Sequence, residues 1–254
     1  MKRTAIITGA SSGIGREFAR QIKQRGEADH FLLIARRRER LEELAEELKE
    51  ADILPLDLCE EESVRVYADY LKEHRLQVVY LVNGAGFGKF GDYAHISETD
   101  VSRMIDLNSK ATVLITHATI PYMEKGGHII EIGSGSCFTP LPHFNVYAAS
   151  KAFVLHYAKG LRAEVKPLGI SVTCFCPGWV ETEFLENAQT TPGALYPKNP
   201  KPLLKAKRVV AYGLSRARRG KLLAVTNWYT KLQHMMFKLL PDRLLTWLWL
   251  KTVL

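Results

Sequence analysis

The chain has 254 residues, of which 46% are hydrophobic and 24% are charged, and its formal net charge at pH 7 is +8. This composition excludes a disordered tail, a disulfide-rich mini-protein and a fibrous repeat, and the chain is long enough for one large hydrophobic core. The four cysteines are too few and too scattered for a disulfide framework, and Cys174-x-Cys176 lacks the further ligands of a zinc site. We therefore expect a cytoplasmic protein with reduced thiols and no bound metal.

The positive charge is concentrated near the end of the chain. Residues 187–254 contain thirteen Lys or Arg residues and one acidic residue, Asp242, which gives a net charge of +12. Such an excess favours anionic partners, whether a phosphate-bearing cofactor, an acidic protein or anionic lipid, and a basic face kept for solubility is the other interpretation. No nucleic-acid recognition motif accompanies the charge, so we expect no nucleic-acid binding.

Neither an export signal nor a membrane span is expected. The first apolar run, Ala5-Ile6-Ile7, reaches Gly9 too soon for the hydrophobic region of a signal peptide. No uninterrupted apolar run of ~18 residues occurs, so a spanning helix is not supported.

Short apolar runs and segments with helical spacing alternate along the chain. The pattern predicts strands at 4–8, 31–34, 53–56, 78–82, 129–132, 170–174 and 222–225. It predicts helices at 14–25, 37–50, 60–73, 98–123, 146–166 and 203–218. Because the strands are almost continuously apolar and are separated by helices, we expect a doubly wound α/β Rossmann fold with a parallel sheet of about seven strands and helices on both faces.

The chain divides into a main body and a tail. Residues 1–227 are predicted to form one catalytic domain, with a substrate lid in the irregular region 179–218. Residues 228–254 are rich in Trp, Leu and Met interleaved with Lys and Arg, and Pro241 splits them into two helices too short to span a bilayer. Three interpretations of this tail stay open: packing against the fold or a subunit partner, peripheral contact with the inner face of a membrane, and a lid over the substrate.

A glycine-rich turn follows the first predicted strand. The segment Thr8-Gly9-Ala10-Ser11-Ser12-Gly13-Ile14-Gly15 allows a tight turn and a close approach of the backbone to a pyrophosphate. The free N–H groups and the dipole of the helix that begins there favour negative charge. Taken alone, the three glycines also suit any tight turn between a strand and a helix.

A second pattern is Tyr147-Ala148-Ala149-Ser150-Lys151, which places a phenol and an ammonium group on the same face of a helix. Ser134 precedes the tyrosine by thirteen residues, at the end of an apolar run. With the glycine turn, these motifs make residues 3–226 similar to the short-chain dehydrogenase/reductase family, whose patterns are T-G-x3-G-x-G and Y-x3-K. The resemblance implies a nicotinamide cofactor and a homodimer or homotetramer built on the helices at 98–123 and 146–166.

The resemblance also implies the roles of four catalytic residues. Ser134, with Ser136 as the fallback, would hydrogen-bond the substrate oxygen, and Tyr147 would transfer the proton. Lys151 would lower the pKa of Tyr147 and hold the nicotinamide ribose. Asn108 would complete the tetrad through a bound water.

Arginines stand where the second strand ends. Arg36 and Arg37 suit the 2′-phosphate of NADP(H), which an acidic residue at this place would repel, although a basic helix start is an alternative interpretation. The resemblance extends the cofactor-binding set, although Gly84 replaces the second asparagine of the family's N-N-A-G turn. That set is Thr8, Gly9, Ser11, Ser12, Gly13, Ile14, Gly15, Arg36, Arg37, Asp57, Asn83, Ala85, Gly86, Tyr147, Lys151, Pro177, Gly178, Val180 and Thr182.

The sequence therefore predicts an NADP(H)-dependent oxidoreductase that interconverts a carbonyl and an alcohol by hydride transfer. A hydrophobic substrate is expected because apolar residues lie in the segments around the reacting carbonyl: Phe87, Phe90, Phe138, Leu141, Phe144 and Trp179. The alternative is an NADPH-binding scaffold or sensor that docks to a membrane or a protein through its basic tail. The presence of both Tyr147 and Lys151 favours chemistry over that alternative.

Overall fold

The computed structural model describes residues 2–197 and 202–253. Seven strands form one parallel sheet in the spatial order β3-β2-β1-β4-β5-β6-β9. The strands of this sheet are β1 (Arg3–Thr8), β2 (His30–Ala35), β3 (Ala51–Pro55), β4 (Gln77–Asn83), β5 (Met123–Ile132), β6 (Ser171–Cys176) and β9 (Leu223–Val225). A separate short pair is formed by β7 (Val180–Glu181) and β8 (Leu204–Lys205). The predicted doubly wound fold with a seven-stranded parallel sheet is confirmed.

Ten α-helices lie within the described part of the chain. They are α1 (Gly13–Gln24), α2 (Arg38–Leu48), α3 (Glu61–His74), α4 (Glu98–Ile105), α5 (Thr112–Thr119), α6 (Asn145–Val165), α7 (Glu183–Ala188), α8 (Ala206–Arg218), α9 (Trp228–Leu239) and α10 (Asp242–Val253). None of them is both long enough and apolar enough to pass through a membrane.

The sheet separates two hydrophobic cores because successive side chains of a strand point to opposite faces. Along β1, Ala5 and Ile7 enter the core covered by α1, α2 and α8, while Ile6 enters the core on the other face, against α3, α5 and α6. All three side chains are fully buried. Two-sided burial accounts for the apolar runs that predicted a parallel sheet.

The predicted helix 98–123 is interrupted. Between α4 and α5, residues 106–111 form a π-helical turn, and a 3-10 turn at 120–122 follows α5. Pro121 cannot donate the backbone hydrogen bond that a continuing helix needs, which explains the early end. The π turn carries Asn108, consistent with the tendency of such turns to occur at functional sites.

Strand β5 begins at Met123 and not at Ile129 as predicted. Its pairing with β4 is irregular, since Val78 lies opposite Met123 and Tyr80 lies opposite His128. The intervening residues bulge around Gly126, whose φ is 90°. The pattern missed the first part of this strand because glycines and charged residues occupy the bulge.

The predicted lid region 179–218 contains β7, α7, β8 and α8, and its residues 198–201 lie outside the described part of the chain. The tail forms two helices, α9 and α10, separated at Pro241 as the sequence predicts. We call these two helices the C-terminal helix pair.

Candidate active site

A cavity of about 530 Å³ opens at the carboxyl ends of the central strands. Ligands of doubly wound sheets bind at this edge, outside the ends of the strands. Of the residues predicted for the cofactor and the catalysis, all but Thr8, Asn83 and Asn108 line the cavity. The fold thus brings residues from both halves of the chain to one surface.

The glycine turn between β1 and α1 forms one wall. Gly9 has a φ of +67°, and a Cβ atom on it would lie 2.6 Å from the carbonyl of Gly84 at the end of β4. A Cβ atom on Gly15 would lie 2.4 Å from the carbonyl oxygen of Gly9. The Thr8 hydroxyl accepts a hydrogen bond from the backbone N–H of Ala85 at 3.1 Å. Thr8 therefore ties the two strand ends together beneath the cavity and does not line it.

The start of α1 offers an anion site. Ser11, Ser12, Gly13 and Ile14 line the cavity where the helix begins. The first N–H groups of a helix have no partner within it, and the helix dipole favours a phosphate there. The absence of side-chain bulk at the tight turn leaves the backbone open to a dinucleotide, so this cradle fits a nicotinamide cofactor.

Arg36 and Arg37 follow directly after β2 and line the cavity. Arg37 donates hydrogen bonds to Glu183 of α7 at 2.8 Å and to the Ser11 hydroxyl at 3.2 Å. Arg36 is exposed and has no hydrogen-bond or ion-pair partner among the described residues. The guanidinium group of Arg36 is thus available to a ligand.

Asp57 lines the cavity beyond β3. Partial burial favours its neutral form, but the hydrogen bond from Arg103 at 2.5 Å and the backbone N–H of Cys59 outweigh this effect. The pKa of the Asp57 carboxyl is consequently below its usual range. The carboxylate is charged at neutral pH and faces the cavity with both oxygens engaged.

Tyr147 and Lys151 lie one turn apart on α6, and both side chains are buried. Burial raises the pKa of the Tyr147 phenol, and a hydrogen bond with Ser134 partly offsets this effect. Ser134 stands just beyond the end of β5, where it faces the same cavity. Tyr147 and Ser134 therefore line the same cavity, and the Ser134 hydroxyl oxygen accepts a hydrogen bond from the Ser136 N–H at 3.1 Å.

The expected lowering of the pKa of Tyr147 by Lys151 stays a prediction, and in this structure the effect of burial on the phenol is the larger one. The Lys151 Nζ atom lies 5.9 Å from the centre of the Tyr147 ring and donates a hydrogen bond to the Ile132 carbonyl at 2.8 Å. Burial is the largest influence on both groups, and it lowers the pKa of Lys151 to about 8. Its buried ammonium group is held beside the cavity floor by the end of β5.

Asn108 lies behind the cavity wall in the π-helical turn. Its side-chain amide donates to the Phe87 carbonyl at 2.9 Å and to the Ser150 hydroxyl at 3.0 Å, and it accepts from the Phe87 N–H at 3.0 Å. A Cβ atom on Gly86 would lie 2.9 Å from Asn108 Oδ1 and 3.2 Å from Lys151 Nζ. Asn108 therefore fixes the loop after β4 against α6, close to the lysine.

Asn83 is buried at the end of β4 and does not reach the main cavity. Its Nδ2 atom donates to Thr116 at 2.7 Å and to both carboxyl oxygens of Glu131 at 3.1 Å. Glu131 is fully buried on β5, and burial raises its pKa to about 7. Glu131 was not predicted as part of the site, although a glutamate within the apolar run 129–132 is unusual and could have pointed to it.

Aromatic side chains line the cavity next to Tyr147. The Phe144 ring lies 4.5 Å from that of Tyr147, and the Phe184 ring lies 5.3 Å from it, measured between centroids. Trp179 also lines this part. The Tyr147 ring therefore has aromatic neighbours within the cavity.

The C-terminal helix pair closes the cavity from above. Thr230, Gln233 and Phe237 of α9 and Trp249 of α10 line it, and the Trp249 indole donates to the Pro142 carbonyl at 2.8 Å. None of these residues, nor Tyr229 of α9, which also lines the cavity, was predicted as part of the site. The apolar composition of residues 228–254 indicates that the tail packs against something, but it does not show which side of each helix faces the cavity.

Comparison with known proteins identifies the family. The sequence pattern of the short chain dehydrogenase family matches residues 3–193. Sulfoacetaldehyde reductase 2 of Chromohalobacter salexigens is 39% identical over 191 residues, which are 72% of this chain and 75% of that protein. An 11-beta-hydroxysteroid dehydrogenase-like protein of Arabidopsis thaliana is 36% identical over 72% of this chain and 60% of its own length.

Solved structures agree with this result. A short-chain dehydrogenase from Sphingobium yanoikuyae in complex with NADPH has a TM-score of 0.78 and 28% identity, covering 93% of this chain and 94% of that chain. The bulky-bulky ketone specific alcohol dehydrogenase of Comamonas testosteroni has a TM-score of 0.74 and 26% identity, covering 93% of each chain. The chain belongs to the short-chain dehydrogenase family, and it is an oxidoreductase of the nicotinamide-dependent kind that acts on alcohol and carbonyl groups.

Proposed function

We propose that this protein is an NADP(H)-dependent reductase of hydrophobic ketones or aldehydes, with oxidation of the corresponding alcohol as the reverse reaction. The observation that carries the proposal is the placement of Ser134, Tyr147 and Lys151 on a cavity that is also lined by the exposed guanidinium of Arg36. The part of the cavity with Tyr147 is suited to proton transfer, and the part with Arg36 is suited to binding a phosphate.

The preference for NADP(H) rests on the residues after β2. A 2′-phosphate needs a cationic group with several donors, and Arg36 provides an exposed guanidinium that lines the cavity. Arg37 is anchored to Glu183 and Ser11 and adds positive charge next to it. The Sphingobium yanoikuyae relative, which is in complex with NADPH, supports the same preference.

The cofactor would lie along the glycine turn, with its pyrophosphate at the start of α1 and its nicotinamide near Tyr147. Gly9 and Gly15 leave the backbone accessible there, and Lys151 and Pro177–Thr182 border the nicotinamide end. When bound, the cofactor supplies or accepts the hydride. All other steps fall to side chains of the chain itself.

In the reduction, the Ser134 hydroxyl donates a hydrogen bond to the substrate carbonyl oxygen and holds it next to Tyr147. The Tyr147 phenol then gives its proton to that oxygen as negative charge develops there. Because burial raises the pKa of Tyr147, the phenol is protonated at neutral pH and is ready to donate. The buried positive charge of Lys151 stabilises the phenolate that this transfer leaves.

A hydrophobic substrate fits the aromatic wall around Tyr147. The rings of Phe144 and Phe184 lie against that of Tyr147. Trp179, Phe237 and Trp249 line the same cavity. Apolar walls with a few convergent polar groups are typical of small-molecule sites. Hydrophobic ketones, steroid-like alcohols and 3-oxoacyl thioesters are the classes to test, together with small aldehydes.

We also propose that the protein forms a homodimer or homotetramer through α4 and α6. Ile105, at the end of α4, and Phe153, on α6, are large apolar residues that are half exposed. The Phe153 ring stacks on that of Tyr157, which extends the apolar surface of α6. An isologous contact between two copies would cover this surface.

The test of the proposed chemistry is Tyr147→Phe. This variant should lose at least 1000-fold in turnover, on the order expected when an essential proton donor is removed, while NADPH binding measured by calorimetry stays within a few-fold of the wild type. Tyr157→Phe, on the same helix with its hydroxyl directed to Thr116, should retain turnover. Turnover retained by Tyr147→Phe contradicts the mechanism, and a wild type that binds NADPH without any turnover favours the scaffold alternative.

A further inference from the structure

The inner side of the C-terminal helix pair faces the active-site cavity. Tyr229, Thr230, Gln233 and Phe237 of α9 line the active-site cavity. Their spacing places them on one side of the helix. In α10, Trp249 lines the cavity on the inner side.

The outer side of α9 is also apolar. Its exposed residues include Trp228 and Leu239, which are 75% and 76% exposed, and between them Leu232, Met235 and Met236. These residues recur every three or four positions and therefore form one stripe, which lies beside the cavity-lining residues around the helix. A surface helix of a globular protein normally directs charged and polar side chains to solvent. Helix α9 instead exposes large apolar side chains.

Helix α10 repeats the pattern. Leu245 is buried, whereas Leu244, Trp247 and Leu248 are exposed. Both helices thus carry large apolar side chains toward the solvent. Exposed apolar surface on this scale indicates contact with a partner or a membrane.

Basic residues accompany the exposed apolar ones. Lys231, Arg243 and Lys251 are exposed on the two helices, and the Lys251 Nζ atom lies 3.8 Å from the centre of the Trp247 ring. Asp242 is the one acidic residue in the sequence after Glu186. Trp, Leu and Met together with Lys and Arg are the composition of helices that lie in a membrane interface.

We propose that the outer side of the C-terminal helix pair docks on an anionic lipid bilayer, with α9 and α10 lying in the plane of the interface. Each helix has 12 residues, which is too short to span the hydrocarbon core. Anionic headgroups complement the net charge of +12 in residues 187–254.

Charge argues against a second copy of the chain as the occupant of this surface. A two-fold contact would place the surface against itself, so that Lys231, Arg243 and Lys251 of both copies would enter one contact. Like charges in a desolvated contact are unfavourable. An anionic bilayer covers the same apolar side chains and neutralises the basic ones.

Docking has a consequence for the active site. Because the inner side of the same helices lines the cavity, the cavity would lie about one helix diameter, ~10 Å, from the lipid. Hydrophobic compounds dissolved in the bilayer would then be concentrated near the cavity. This consequence rests on the proposed function, whereas docking itself does not and is measured without turnover.

The experiment is flotation of the full-length protein with vesicles. We expect it to float with vesicles that contain phosphatidylglycerol, to float much less with vesicles of phosphatidylcholine alone, and to be released as the salt concentration rises. Absence of any preference for phosphatidylglycerol overturns the proposal.

Two sets of variants separate the apolar and the electrostatic parts. The double variant Trp228→Ser, Trp247→Ser should lose most of the binding, while Tyr93→Ser, Leu168→Ser, which removes exposed apolar residues elsewhere, should keep it. The triple variant Lys231→Gln, Arg243→Gln, Lys251→Gln should bind phosphatidylglycerol vesicles on the order of 100-fold more weakly, since each basic residue near the surface contributes about fivefold. The matched triple variant on other surfaces, Lys49→Gln, Lys125→Gln, Lys166→Gln, should bind nearly as the wild type.

Circular dichroism melting of each variant confirms that these surface substitutions leave the fold intact. Wild-type binding by both the tryptophan and the basic variants overturns the proposal. A homodimer seen by light scattering that dissociates in the tryptophan variant, without vesicle binding by the wild type, also overturns it and assigns the surface to contact between copies.

Discussion

At the scale of single residues, burial decides how the ionisable groups of the site behave. Burial raises the pKa of Tyr147 and lowers that of Lys151 to about 8, so the phenol is neutral at pH 7 and the ammonium is charged. The motif Tyr-x3-Lys predicted their placement, because residues four apart share a helix face. It could not predict the partner of Lys151, since the Ile132 carbonyl comes from a strand distant in sequence.

The pKa of Glu131 likewise depends on burial in the fold, which the sequence motifs do not show. Burial raises its pKa to about 7 from the ordinary value of 4.5, and the hydrogen bonds from Thr116 and Asn83 offset this only in part. Since the pKa in the folded state is the higher one, the folded protein binds this proton more tightly than the unfolded chain. The resulting stabilisation is complete below about pH 4.5 and is lost as the pH rises through about 7.

We therefore predict that Glu131→Gln removes part of the pH dependence of stability. From about pH 5 to about pH 8, the free energy of unfolding of the wild type should fall relative to that of the variant by on the order of 3 kcal/mol. Urea denaturation at a series of pH values measures this difference. Glu46→Gln, on the exposed side of α2, is the control and should show no such change; a pH-independent difference for Glu131→Gln would contradict the assignment.

At the scale of secondary structure, alternating strands and helices were predictable because both faces of the sheet are buried. The apolar runs of β1, β2, β4 and β6 match the predicted strands within a few residues. The π turn around Asn108 was not predictable, because it depends on hydrogen bonds with Phe87 and Ser150, which come from other elements. Tertiary contacts, and not local propensity, determine this part of the site.

Two helical glycines provide a matched test of the turn that holds the cofactor. A Cβ atom on Gly15 of α1 would lie 2.4 Å from the Gly9 carbonyl oxygen, whereas Gly160 of α6 has nothing within 4 Å of the same position. We predict that Gly15→Ala destabilises the fold by about 2 kcal/mol and weakens NADPH binding, because the turn must shift. Gly160→Ala should instead stabilise it by about 0.5–1 kcal/mol, the gain expected for alanine in a helix.

Denaturant unfolding and calorimetric titration with NADPH measure both effects. Equal stability changes in the two variants would show that the tight contact between Gly15 and Gly9 does not constrain the turn.

At the scale of the whole molecule, the sequence predicts the residues at the floor of the cavity. It does not predict which residues cover the cavity. The floor comes from sequence motifs that parallel β-strands carry to one edge of the sheet. The cover comes from the C-terminal helix pair, whose apolar residues occur on both sides of each helix, so hydrophobicity alone does not show which side faces inward. Contacts such as that of Trp249 with Pro142 settle the orientation.

We propose that this site transfers hydride between NADP(H) and a hydrophobic carbonyl compound. Arg36 and Arg38 offer a matched pair for testing the cofactor part, since Arg36 lines the cavity and Arg38 pairs with Glu42 on α2 at 3.7 Å. Replacing Arg36 by alanine should therefore reduce the preference for NADPH, and Arg38→Ala should leave it nearly unchanged.

The most direct measurement is kcat/KM of the purified wild type with NADPH and with NADH against a panel of hydrophobic ketones, steroids, 3-oxoacyl thioesters and small aldehydes. We predict turnover of at least one hydrophobic carbonyl compound with NADPH favoured by at least about tenfold, corresponding to the ~1.4 kcal/mol or more that a charge-assisted pair with the 2′-phosphate contributes. Preferential use of NADH would contradict the role of Arg36, and absence of turnover with either cofactor across the panel would contradict the proposed reaction.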